Sequence, residues 1–327
     1  MSNAQEDNAD LAAPAEATRA YSGAPFTLFL TVVIALVFLG EMGVTWSNLG
    51  FAWAELANVL FAIPEDVAMQ FGANYATATL YEGRIDTLLS SCFVHFGALH
   101  ILFNLFALRV VGSALEREVG TGRTSVLYLG AGVVSNMVSA IWYGWHLEGQ
   151  NVGAGASGVV CGLIGATLVV GFRTEGGWRS PLTLVMALWL TVTLALGKQG
   201  GFDNAAHMGG AVAGGLIALL WRRGAESPMH RNVSTAAALA CVALAGVLVL
   251  YYDLTRPFAT MPVPQRQKYA MRAVLFGNCQ EAWGAARAAR RLAPRAEDVL
   301  QTVQRVRALC GSDPHTPPPP DSGGASR

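Results

Sequence analysis

The chain has 327 residues, of which 53% are hydrophobic and only 13% charged, and its formal net charge is zero. A soluble domain carries about a quarter charged residues, so the composition excludes an ordinary soluble protein, and the neutral balance leaves no basic bias toward nucleic acid. The missing charge is concentrated in blocks of about twenty residues, the length that crosses a bilayer as a helix.

In chain order, residues 1–24 are Ala-rich and acidic and read as a disordered tail. They lack a basic n-region, so the first apolar block is read as a retained span and not a cleaved signal. Apolar blocks follow at about 26–46, 92–115, 124–145, 156–173, 181–197, 205–222 and 235–252. Seven blocks of this kind predict an all-α, polytopic membrane helix bundle. Between the first two lies a long connection, 48–91. Its Trp53, Leu56, Val59, Leu60 and Phe61 recur at helical spacing and suit the membrane interface. Trp142, Trp145 and Trp178 suit interfacial belts.

Seven spans put the two ends on opposite sides. With the N-terminus inside, the inner loops collect Arg19, Arg109, Arg117, Arg123, Arg173, Arg179, Arg222, Arg223 and Arg231, against Arg84 and Lys198 outside. Positive charge gathers on the cytoplasmic side, which favours N-in and C-out. Beyond the last block, 253–310 reads as three amphipathic helices, Gln265 to Phe276, Gln280 to Leu292 and Ala296 to Leu309, broken by Gly277 and Pro294. The Pro-rich stretch within 311–327 reads as a flexible tail. Cys92, Cys161 and Cys241 fall in apolar blocks as packing residues. Cys279 and Cys310 share the C-terminal segment, where a disulfide and two buried thiols are both open readings.

Polar groups inside spans are costly and tend to be functional. Ser157, in Gly155-Ala156-Ser157-Gly158, opens the fourth block, and His207, in Ala206-His207-Met208-Gly209-Gly210, opens the sixth. A serine hydroxyl needs a base to become a nucleophile, and histidine has a suitable pKa. The second block contributes His100 and Asn104, four apart on one helix face, with His95 about 140° around from His100. Gly158, Gly162 and Gly165 line one side of the fourth block, and Ala206, Gly210 and Gly214 one stripe of the sixth. Small residues at this spacing let membrane helices approach closely. Taken singly, Ser157 reads as a helix N-cap, His207 as a core histidine, and His100 with Asn104 as an interhelical clamp. Their combination reads as a Ser-His dyad whose oxyanion donors are the Ser157 N–H, His100 and Asn104. Asp203, four before His207, and the intramembrane Glu41 are read as structural.

These motifs, with Gly72-Ala73-Asn74 in the first outer loop and Glu116 with Gly120 after the second block, resemble the rhomboid family of intramembrane serine proteases over about residues 26–222. The resemblance implies a six-span core with Ser157 as nucleophile, His207 as general base, and His100 and Asn104 at the oxyanion hole. It gives His95, Gly155, Gly158, Cys161, Gly210 and Gly214 supporting positions, with Cys161 standing where family members often carry an aromatic residue. It also implies transmembrane protein substrates in the lipid bilayer, cut in or near their transmembrane segments. No metal or cofactor is expected, since His95 and His100 lack an H-E-x-x-H or paired-carboxylate context. The expected organisation is a tail (1–24), the core (25–222), a linker with an added span (223–252), a helical extramembrane segment (253–310) and a tail (311–327), in a bacterial cytoplasmic membrane. Two other classes are weighed. A catalytically silent relative that binds membrane clients ordinarily lacks the serine or the histidine, and both are present. A channel or transporter calls for charged groups along several spans or symmetric broken helices, and the sequence has neither.

Overall fold

The computed structural model describes residues 23–314 apart from 52, 54–55, 147–150, 201, 222–223, 256–260, 262 and 294. Most of the two expected tails, together with Arg19, Arg222, Arg223 and Pro294, lies outside the described residues. The chain divides into two units, Met1–Tyr251 and Tyr252–Arg327.

The first unit begins with α1 (Pro25–Asn48). Proline at the first helical position loses nothing, because that N–H has no intrahelical partner anyway. The next orphan donors are met from far along the chain. Glu116 accepts from Phe26 N (3.0 Å), Thr27 N (2.8 Å) and Thr27 Oγ1 (2.7 Å), and also from Thr121 Oγ1 (2.9 Å). A carboxylate at a helix N-terminus also complements the helix dipole. The buried stripe Phe26, Leu30, Ile34, Phe38, Glu41 and Thr45 keeps three- and four-residue spacing, while Leu28, Val32, Leu36 and Leu39 are exposed. An apolar exterior around a helix is what lipid requires. Glu116→Ala leaves two buried N–H groups unmet, so it is expected to destabilise the bundle by roughly 2–4 kcal/mol. Glu116→Gln, which keeps an acceptor oxygen, should fall between. Unfolding midpoints in detergent micelles check the order.

The loop after α1 carries α2 (Leu56–Phe61), α3 (Glu65–Gln70), β1 (Asn74–Tyr75), α4 (Ala76–Tyr81) and α5 (Thr87–Ser90). Arg84 and Asp86 form a buried ion pair within it, at 2.9 Å. Next come α6 (Ala98–Ala107), a π-helical turn at Leu108–Gly112 and α7 (Ser113–Val119). Then follow α8 (Thr121–His146), β2 (Val152–Gly153), α9 (Ser157–Thr174), α10 (Pro181–Gly200), α11 (Asn204–Leu219) and α12 (Pro228–Thr255). The architecture is all-helical, as expected, with one minimal strand pairing besides the helices. β1 and β2 pair antiparallel, Asn74 opposite Gly153 and Tyr75 opposite Val152. Two-residue strands are too short to leave any alternation in the sequence. Asn74 also donates to Asn136 O (2.9 Å) and accepts from Thr79 Oγ1 (2.7 Å), which ties the loop onto α8.

Among the described residues, five helices are long and apolar enough to cross a membrane: α1, Ala98–Val119, Thr121–Trp145, α9 and α12. Pro181–Gly197 is a shorter apolar helix. The block expected at 205–222 forms α11, which has 16 residues and packs against α8 and α9. The glycine stripes meet there. A Cβ on Gly210 would strike the carbonyl of Gly158, one on Gly214 that of Gly162, and one on Gly165 that of Ala211. Without side chains between them, the two backbones lie in direct contact.

The second unit holds α13 (Val263–Leu275), α14 (Cys279–Leu292) and α15 (Glu297–Cys310). Its core is mostly alanine, with Ala270, Ala273, Ala282, Ala285 and Ala286 around Trp283 and Val306. Small side chains let the three short helices approach closely. Arg266 is buried and donates to Met261 O (2.7 Å) and Ala288 O (3.0 Å). Of the two open readings for the C-terminal cysteines, the structure takes the bonded one: Cys279 and Cys310 form a disulfide.

Candidate active site

Two helix starts converge. Ser157 is the first residue of α9, and His207 lies in the first turn of α11. The close backbone contact between these helices carries the two side chains together, with His207 Nε2 2.8 Å from Ser157 Oγ. His207 is buried, and among the described residues its Nδ1 has no hydrogen-bond partner. With Nε2 accepting from the serine hydroxyl, the ring proton sits on Nδ1.

The turn before Ser157 is held on both sides. Gly155 has φ +119°, a conformation that residues with a Cβ rarely adopt, and its N–H donates to Ser91 O (2.9 Å). A Cβ there would also sit 2.6 Å from His100 Nε2 and 3.8 Å from Asn104 Nδ2, so His100 and Asn104 both border this turn. Ala156 N donates to His95 Nε2 (3.4 Å), which leaves His95 Nδ1–H facing Phe93 O (3.2 Å). His95 N in turn donates to the buried Glu41 carboxylate (3.2 and 3.3 Å). A continuous path therefore runs from α1 through Glu41 and His95 to the residue preceding Ser157. His100 Nδ1 accepts from Phe96 N at 3.4 Å, which puts its proton on Nε2, the nitrogen facing Gly155. Asn104 Nδ2 is spent on its own helix, donating to His100 O (2.9 Å).

At the start of α11, Asp203 is the N-cap. Its Oδ1 accepts from Ala206 N (2.9 Å) and its backbone carbonyl from His207 N (3.0 Å). Asp203 Oδ2 accepts from Ser139 Oγ on α8. Asn204 Nδ2 donates to Leu194 O on α10 (2.9 Å). The helix that carries His207 is thus pinned at its first turn to both neighbours. Gly158, Gly210 and Gly214 form the backbone contact beneath the pair. Cys161 is a buried free thiol one turn into α9.

A cavity of about 450 Å³ opens above this pair. Ser157, His207, His100 and Asp203 reach it, as do Phe96 and Tyr143, and residues 151–154 run along its wall. Asn104 does not line it. Sequence reasoning passed over one contributor and gave another only a structural place. Ser139 gave no signal, being one small residue in an apolar helix. Asp203 did give one, an acidic residue four before His207 at a helix entry, which is N-cap chemistry.

With this geometry in view, residues 82–224 match the family described as Rhomboid domain. Over these residues the chain belongs to the rhomboid family. Among its relatives, RHOMBOID-like protein 5 of Arabidopsis thaliana is 35% identical over 144 residues, which covers 42% of this chain and 46% of the relative. Rhomboid protease GluP of Bacillus subtilis is 28% identical over 193 residues, 59% of this chain and 36% of the relative. Rhomboid protease GlpG of Yersinia pestis is 36% identical over 173 residues, 49% of this chain and 56% of the relative. The chain spans about a third to just over half the length of these three relatives. The rhomboid match contains Ser157, His207, His100 and Asn104, and it leaves α1 and the whole C-terminal unit outside.

Proposed function

We propose that this chain is an intramembrane serine endopeptidase that cleaves peptide bonds in or near the transmembrane segments of other membrane proteins. The observation that carries the reading is the 2.8 Å contact between Ser157 Oγ and His207 Nε2 at the floor of a cavity. Relatives named rhomboid proteases support it. In this reading the Ser157 hydroxyl proton passes to His207 Nε2 as Oγ bonds to the scissile carbonyl carbon. The oxyanion of the tetrahedral intermediate is met by the Ser157 N–H, at the positive end of α9, and by His100 Nε2–H. Asn104 serves as a further donor once its amide leaves the His100 carbonyl. The imidazolium then gives its proton to the leaving amine as the carbon–nitrogen bond breaks, and an acyl-enzyme remains. Water attacks the acyl carbon and gives a proton to His207 Nε2. His207 then hands that proton to Ser157 Oγ as the ester bond breaks, which releases the carboxylic acid and restores the enzyme.

The same proposal covers the membrane arrangement. Six spans form the core, with α10 and α11 as the short ones, and α12 is a seventh. The N-terminus is cytoplasmic, the C-terminus outside, and the site opens outward.

The test is labelling of the full-length protein by a fluorophosphonate probe. Labelling of the native chain, lost in both Ser157→Ala and His207→Ala, supports the reading. No labelling of a folded native chain favours a silent relative that binds membrane clients. One supporting residue has its own expected result. His95→Ala frees Ala156 N and loosens the turn that presents Ser157. Probe labelling should slow, and the stability read from the unfolding midpoint should fall by the roughly 1–3 kcal/mol that one unmet buried donor costs.

A further inference from the structure

We propose that the cleft between α1 and α12, at the end of the bundle opposite Ser157 and His207, binds one anionic phospholipid. Its phosphate is held by Arg109 and Arg231, and its acyl chains lie along Leu28 and Leu239. The inference stands apart from the catalytic reading. The cleft has a volume of about 820 Å³ and lies entirely within the first unit. Chain direction fixes its end of the bundle: α1, α8 and α12 begin there and α7 ends there, bound together by Glu116 and by the Glu226 carboxylate on Gly122 N. The helices whose first turns carry Ser157 and His207 start from the other end and finish at this one.

Charge and partners point to the ligand. Two other arginines at this end are used within the fold, Arg123 donating to Gly224 O and Arg173 to the carbonyls of Ala218, Leu219 and Trp221, while Arg117 and Arg179 lie outside the cleft. Among the described residues, Arg109 and Arg231 have no carboxylate partner, and Arg231 Nε only approaches Asn232 Oδ1 at 3.5 Å. Both line the cleft, whereas Glu116 and Glu226 do not. Thr235 also lines it, and its buried hydroxyl has no hydrogen-bond partner. Two guanidinium groups and a hydroxyl around one concave space match a phosphate diester. The walls choose the source of that phosphate. Leu28 is 53% exposed and Leu239 38% exposed, each on a helix apolar enough to span the membrane. A free anion has no use for that surface, while a lipid has its chains to place there. Basic clefts between transmembrane helices are a known mode of anionic lipid recognition.

The experiment is native mass spectrometry of the full-length protein in detergent, titrated with phosphatidylglycerol or phosphatidylcholine. The native chain should retain phosphatidylglycerol in preference to phosphatidylcholine. Arg109→Gln/Arg231→Gln should weaken its retention about 10- to 30-fold, the loss of two near-surface cations. Arg117→Gln/Arg179→Gln, at the same end but outside the cleft, should not. Ala236→Trp fills the cleft without changing charge, and it should weaken retention even if the arginine variant folds poorly. Equal losses in the two arginine pairs, or no headgroup preference, would overturn the proposal. So would displacement of the lipid by millimolar inorganic phosphate, which would mark an ion site.

Discussion

Ser157→Ala and His207→Ala are each expected to reduce cleavage of a reporter transmembrane substrate by at least about 1,000-fold while leaving the unfolding midpoint nearly unchanged. The hydroxyl and imidazole meet each other at 2.8 Å, so either truncation removes the nucleophile or its proton acceptor. Neither side chain is a main support of the fold. The helix that carries His207 is held by Asp203 and Asn204, and the turn that carries Ser157 by Ser91 and His95. Residues acting as one unit are not additive, so the double variant should lose no more than the worse single one. Cleavage that persists in Ser157→Ala at the native rate would remove this serine from the chemistry.

Gly210→Val and Gly214→Val should be the most destabilising substitutions in the bundle. Any Cβ at these positions strikes a carbonyl of α9, which is backbone and cannot turn aside. The helices must separate, and overpacking of this kind costs roughly 1–3 kcal/mol even for a methyl-sized addition. The same separation draws His207 away from Ser157, so probe labelling should fall with stability. Gly210→Ala should behave the same way to a lesser degree. Gly246→Ala on α12 is the control, since nothing lies within 4 Å of a Cβ there. It should be neutral or slightly stabilising, because alanine favours helix over glycine. Equal effects at Gly210 and Gly246 in unfolding assays would mean that the stripe is not a contact.

The sites of these predictions were legible in the sequence to different degrees. Serine and histidine at the starts of apolar blocks stand out because polar groups inside a bilayer are costly. The glycine stripes stand out because their spacing is that of one helix face. Both are local patterns, and so are the amphipathic periods of α13, α14 and α15, the proline that opens α1 and the apolar runs of five membrane-length helices. The supports of the site are different. Glu41 lies 54 residues from His95, His95 lies 61 from Ala156, and Ser139 lies 64 from Asp203. No period links such pairs, so Glu41 and Asp203 read only as isolated acids, and Ser139 did not register.

By itself, the sequence determined which segments are helical, which are apolar enough for lipid, and which few polar side chains need a reason to be there. Composition and spacing decide these things because each depends on a residue and its neighbours within two or three turns. The tertiary structure alone decided that α9 and α11 meet backbone to backbone, that β1 pairs with β2 beside the site, and that Cys279 bonds Cys310. It alone also decided which donors and acceptors hold Ser157 and His207 at hydrogen-bonding distance. Those outcomes depend on where separate helices come to rest, and that is set by packing across the whole bundle.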